Sequence, residues 1–218
     1  MNHRFASSAV LVAAALLIVR APARAEIVHL QIDTQKSTIS AAVQEPLSRL
    51  RDVAFAEGTF HIISGEIDGD PADVATTGHV KLVVDLTTYD SGSDHRDRII
   101  LSSALETRLY TTASFESTRI EKVEVVVPGA VGSATVVGNL TLHGTTRQIS
   151  VPVRLSLSPE GLLTGDGEVT FRYTDFGVKV PRLAFVFPAG DEVTVKFRIS
   201  ATNPQPSASP SKSPAATP

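Results

Sequence analysis

The chain has 218 residues, 42% hydrophobic and 20% charged, a composition ordinary for one globular domain with a core of its own. It has 20 Lys and Arg against 23 Asp and Glu; without Arg4, Arg20 and Arg24 of the first 25 residues, 17 bases face the same 23 acids, a net charge of −6. That balance excludes nucleic acid and charge-driven binding to anionic membranes, and the absence of cysteine excludes disulfides and a cysteine-linked lipid anchor.

Residues 1–25 read as a cleaved export signal: Arg4 supplies a short positive region, Ala9 to Val19 an apolar stretch, and Ala23-Arg24-Ala25 the small-residue cleavage pattern. Eleven apolar residues fall short of the roughly 20 that span a bilayer, so no membrane span is expected after cleavage. Residues 26–202 form the expected domain. From there on period-two alternation dominates, and strands are expected near 27–32, 37–44, 55–67 and 78–88. In the last of these, Val80, Leu82 and Val84 alternate with Lys81 and Asp85, one apolar and one wet face, as in an antiparallel sheet.

The stretch SDHRDRIILSSALETRLY is the one helical reading. Asp94 is placed to cap its first turn, Asp97 to return the bond, and Ile100, Leu101, Leu105 and Leu109 to share a face. The pair Arg96-Asp97 reads as structural, the guanidinium crossing to a neighbouring loop. Further strands follow near 113–127, 133–143, 147–158, 164–173 and 191–201, separated by turns such as VPGAVGS, SPEG and FPAGD. Between two of them lies His143-Gly144, where Gly144 supplies the positive φ of a tight turn. His143 is read as a hairpin corner that hydrogen-bonds locally, and Pro152 as lying where its missing N–H is not needed. Residues 203–218, rich in Pro, Ser and Ala, read as a disordered tail.

Catalytic and metal patterns are wanting. The six histidines form no H-x-H, H-x-x-x-H or H-E-x-x-H pattern, and no G-x-S-x-G, Walker A or G-x-G-x-x-G run occurs. No catalytic residue, metal site or cofactor is therefore expected. Strands without β-α-β alternation, with one helical excursion, make an all-β domain, and eight or nine strands suit a closed barrel or a sandwich.

Three segments resemble the YceI-like family of bacterial exported proteins. DSGSDHRDRIILSSALETRLYTTASFEST carries Asp90, Ser91, Gly92, Arg96, Asp97, Leu105, Tyr110, Phe115 and Thr118 in the family's order, with Thr111 where that pattern has proline. GNLTLHGTTRQISVPV resembles its Gly-x-Leu-Thr-Ile-His-Gly-x-Thr hairpin, and FRYTDFGVKVP a Tyr-x-x-Trp/Phe-Gly-x-Lys-x-Pro run. The resemblance implies an antiparallel eight-stranded lipocalin-like barrel with one short helix, periplasmic or secreted, holding an apolar chain such as a polyisoprenoid or a fatty-acid-like lipid. A homodimer stays open.

Alternation alone places Phe60, Ile62, Leu82, Val84, Phe115, Leu140, Leu142, Val151, Val153, Phe171 and Phe197 on the apolar sides of their strands, and these are expected to line one ligand cavity. The alternative is a non-catalytic stress-linked or interaction module whose barrel core is filled, since alternation looks the same in both.

Overall fold

The structure is a computed structural model that describes residues 27–46, 53–71, 73–124, 129–180 and 190–204. The expected signal segment and nearly all of the expected tail lie outside these residues. Nine strands form: β1 (Val28–Ile32), β2 (Thr38–Pro46), β3 (Val53–Gly69), β4 (His79–Asp90), β5 (Thr112–Glu121), β6 (Val131–Leu142), β7 (Thr145–Leu157), β8 (Leu163–Arg172) and β9 (Glu192–Thr202). Every pairing is antiparallel, and each strand from β2 to β9 pairs with the next in sequence. Pairing of β2 with β9 then closes the ring.

Nine strands fill eight positions because β1 and β2 share one. β1 pairs with the end of β3 (Val28↔Gly69) and the end of β9 (Ile32↔Ala201). β2 pairs with the beginning of the same two strands (Ile39↔Phe60, Val43↔Val193). The break between them is stitched by side chains. Asp33 Oδ1 accepts from the amides of Gln35 and Lys36, and the Ser37 hydroxyl accepts from Ser200 N–H at 3.0 Å. The buried Ser37 thereby satisfies a β9 amide that the interrupted strand leaves without a ladder partner.

Bulges decide which residues face inward. A register shift between Ile62 and Ser64 turns Ile63 outward, where it is 51% exposed, and hands the inner face from Phe60 and Ile62 to Gly65 and Ile67. A second shift, between Ser117 and Arg119, hands it from Phe115 to Ile120. Pro152 sits opposite Thr135 of β6, and pairing of β7 with β8 begins only at Val153. The proline thus lies where the β8 ladder has ended, and no bond is lost.

The helical excursion is shorter than its sequence suggests. In α2 (Asp94–Ile99) the N-cap position is Ser93, not Asp94, its side chain making no cap hydrogen bond, and Asp97 accepts from the Ser91 amide and hydroxyl instead of bonding back to the cap. The next turn widens to a π-helix (Ile100–Ala104), closed by Leu105 N–H on Ile100 O at 2.9 Å. That five-residue step brings Ile100, Ala104 and Leu105 against the barrel and leaves Leu109 beyond the helix, 74% exposed. A four-residue helix, α1 (Val74–Thr77), stands where only a turn was expected between β3 and β4. No described helix is long and apolar enough to cross a membrane.

Candidate ligand-binding site

Strand alternation gives the barrel an apolar inner face, yet side chains do not fill it. A cavity of about 1370 Å³ runs through the interior, well above the range of drug-sized pockets. Phe60, Leu82, Val84, Phe115, Leu140, Leu142, Val151, Val153, Phe171 and Phe197 line it, joined by Ile39, Ala41, Tyr89, Val136, Val193 and Ile199 among others. Ile62 does not. It stands beside the β3 bulge and packs instead into a buried cluster with Ile32, Ile199 and Ala201. The lining from β1 and β2 had no counterpart among the expected residues, although the alternation of Ile39, Ala41 and Val43 is a signal that could have found it.

Three inward glycines keep the lumen open. A Cβ on Gly138 would stand 2.5 Å from Phe115 Cζ, one on Gly167 2.8 Å from Phe197 Cζ, and one on Gly58 2.1 Å from Tyr89 Cε2. Each ring lies down over bare backbone along the wall rather than standing up into the space. Glycine inside a strand marks such a close approach.

The two ends differ. At the helical end, Leu86, Ala104, Leu142, Tyr173, Phe176, Val178 and Val193 form one buried cluster. Tyr173 donates to Gly190 O at 2.7 Å. Burial, and then the negative charge of Asp191, push its hydroxyl up to about 12. At the other end, where β3 passes to β4 and β7 to β8, the lining includes Pro71, Asp73, Ala75, Glu160, Gly161, Thr202 and Asn203, all exposed. This end is the mouth. Its rim is acidic: Asp68 accepts from His29 Nδ1 at 2.8 Å, and the Glu160 carboxyl is held below its ordinary value, first by a hydrogen bond from Ser158.

His143 lies outside the lumen, at the β6–β7 corner, with φ 51° beside Gly144 at 74°. It does not bond locally. Its Nε2 donates to Glu106 Oε2 at 2.9 Å, and its ring packs on Tyr110 with centroids 4.1 Å apart. Glu106 in turn accepts from Lys179 at 3.2 Å. These contacts tie the segment after the π-turn to the hairpin and to the chain beyond β8. The group is a clasp between these segments. Among the described residues no three potential ligands gather to hold a metal. Among the described residues Arg96 crosses to no neighbouring loop; it lines the cavity at the helical end.

The fold is shared with solved structures. Burkholderia cenocepacia BcnA is 25% identical with a TM-score of 0.62, over 78% of this chain and 99% of that one. A polyisoprenoid binding domain from Saccharophagus degradans, implicated in plant cell wall breakdown, has a TM-score of 0.65 over 81% of this chain and 99% of its own, at 18% identity, and shares the fold. A UPF0312 protein of Vibrio parahaemolyticus is 34% identical over 131 residues, 60% of this chain and just under two thirds, 64%, of its own length. The YceI-like domain matches residues 30–201, nearly the whole barrel from β1 to β9, and the chain belongs to that family.

Proposed function

We propose that this protein is an exported bacterial binding protein that holds a long apolar chain, a polyisoprenoid or a similar lipid, inside its barrel, without catalysing a reaction on it. The observation that carries the reading is the cavity. At the roughly 30 Å³ that a water-sized group occupies in a liquid, 1370 Å³ gives room for about 45 such groups. An empty apolar space of that size loses dispersion contacts along its whole lining. A hydrocarbon restores them and gains about 0.8 kcal/mol per buried methylene. A filled-core interaction module would have no use for flattened rings over glycine, so the hollow interior supports the container over that alternative. The likeness to a polyisoprenoid-binding domain supports a chain-like ligand, and the signal-like residues 1–25 support export to the periplasm or beyond.

Native mass spectrometry of the full chain purified from an exporting host tests the proposal. A lipid-sized mass adduct that is released on unfolding is the expected result. A bare mass, together with failure of the delipidated protein to take up any long-chain lipid from solution, would overturn it.

A further inference from the structure

Resting on the container reading, we infer that Arg96 reads the head of the ligand, which is an amphiphile carrying an oxyanion, a carboxylate or a phosphate, at the helical end of the cavity. Arg96 is the one basic residue among the described residues that line the cavity. It is neither fully exposed nor fully buried, and its guanidinium makes no hydrogen bond or ion pair with any described residue. Neighbouring groups are committed elsewhere. Asp97, next in sequence, is held by the Ser91 amide and hydroxyl, and the Tyr173 hydroxyl by Gly190 O. Asp94, His95 and Arg98 of the same helix are exposed.

A partly buried charge beside an apolar lining and without a partner is unfavourable, and a guanidinium presents a planar fork of donors that matches a carboxylate or phosphate. The other end of the cavity has the opposite character. Asp68, Asp73 and Glu160 rim the mouth, so an anionic head left there would meet like charge. Both ends therefore give the ligand the same orientation: oxyanion at Arg96, hydrocarbon along the barrel toward the acidic rim.

The test uses the delipidated full chain, with N-phenyl-1-naphthylamine as the fluorescent occupant, at mildly alkaline pH. Hexadecanoic acid, hexadecyl phosphate and hexadecanol compete for it; they share a chain and differ in head. The acid or the phosphate is expected to displace the dye at about tenfold lower concentration than the alcohol, the least a charge-assisted hydrogen bond provides. Which of the two is stronger identifies the head. The preference should vanish in Arg96→Gln and survive in part in Arg96→Lys, with the alcohol unchanged in both. Equal competition by all three in the unaltered protein overturns the inference while leaving lipid binding intact. So does a preference that persists in a folded Arg96→Gln. Failure of all three to displace a bound dye would sink the container reading itself. The comparison within the unaltered protein stands even if Arg96→Gln does not fold.

Discussion

Alanine in place of Gly58 puts a methyl group where the Tyr89 ring lies. The three atoms nearest the new Cβ would all belong to that ring, at 2.1, 2.4 and 2.7 Å, whereas ordinary contact begins at 3.4 Å. Gly58 does not have positive φ, so the backbone accepts alanine and the closest conflict falls on the ring. Tyr89 is buried and packs on Phe60 at 5.2 Å between centroids. Its free direction is into the lumen. Overpacking of this kind destabilises by about 1–3 kcal/mol, and loss of glycine's freedom in the unfolded chain returns about 0.4–1 kcal/mol. The net expectation is a loss of about 1–2 kcal/mol, a fall in Tm of roughly 2–8 °C for a domain of this size. Thermal unfolding followed by circular dichroism measures it, in a cycle with Tyr89→Leu. With the ring gone, Gly58→Ala should be neutral or slightly stabilising, giving a coupling of about 1–3 kcal/mol. An equal loss in both backgrounds would refute the flattened ring as the cause.

The remaining predictions concern the wall, the clasp and the far end. Val151→Glu places a carboxylate among lining residues and should cost several kcal/mol or abolish lipid uptake, as read by unfolding and by dye binding. Arg154→Glu, on the outer face, breaks only the exposed pair with Asp166 at 2.8 Å and should cost no more than about 1 kcal/mol. Glu106 has its carboxyl held below 4.5, first by the Lys179 hydrogen bond and, after the opposing effect of burial, by that of His143. Its contribution is therefore present above pH 4.5 and lost as pH falls through the lower folded value. In Glu106→Gln the Tm should fall less steeply in that acid range than in the unaltered protein. Tyr173 is raised from 10.0 to about 12, so its contribution is present below pH 10 and lost as pH rises toward 12. Tyr173→Phe should flatten the alkaline limb of the same curve.

The strands were legible because alternation is a property of neighbouring residues. His143-Gly144, Pro152 and the beginnings and ends of β6 to β9 follow from local chemistry and stand close to where that chemistry puts them. What was not legible depends on partners distant in sequence. Whether Asp94 or Ser93 caps α2 turns on where β4 releases the chain, and the π-turn at Ile100 follows from the barrel end that Ile100 and Leu105 must both reach. Nor does alternation reveal a bulge. Ile62 looks like a lining residue until Ile63 interrupts the pleat and Ile62 meets Ile32. The hollowness of the barrel was hidden in its glycines, since Gly58, Gly138 and Gly167 acquire meaning only when an aromatic ring from the neighbouring strand lies across them. Arg96, read as crossing to a neighbouring loop, lines the cavity instead, while Asp97 is held by Ser91.

The split first strand also shapes how the barrel assembles. From β2 to β9 each pairing joins consecutive strands, so these hairpins can form with little loop-closure entropy. Only the position shared by β1 and β2 joins the two ends of the domain, bringing Gln31 beside Thr202. That contact comes from nearly the greatest sequence separation the domain offers, and such pairings slow folding most. Until it closes, the nascent sheet has two open edges, β2 with the end of β3 on one side and β9 on the other, each able to recruit a strand from another chain. A first strand broken into two short pieces can dock in two steps, β2 on β3 as a hairpin and β1 afterwards across Ser37 and Ser200. The unpaired edge is thereby shortened before the last piece arrives.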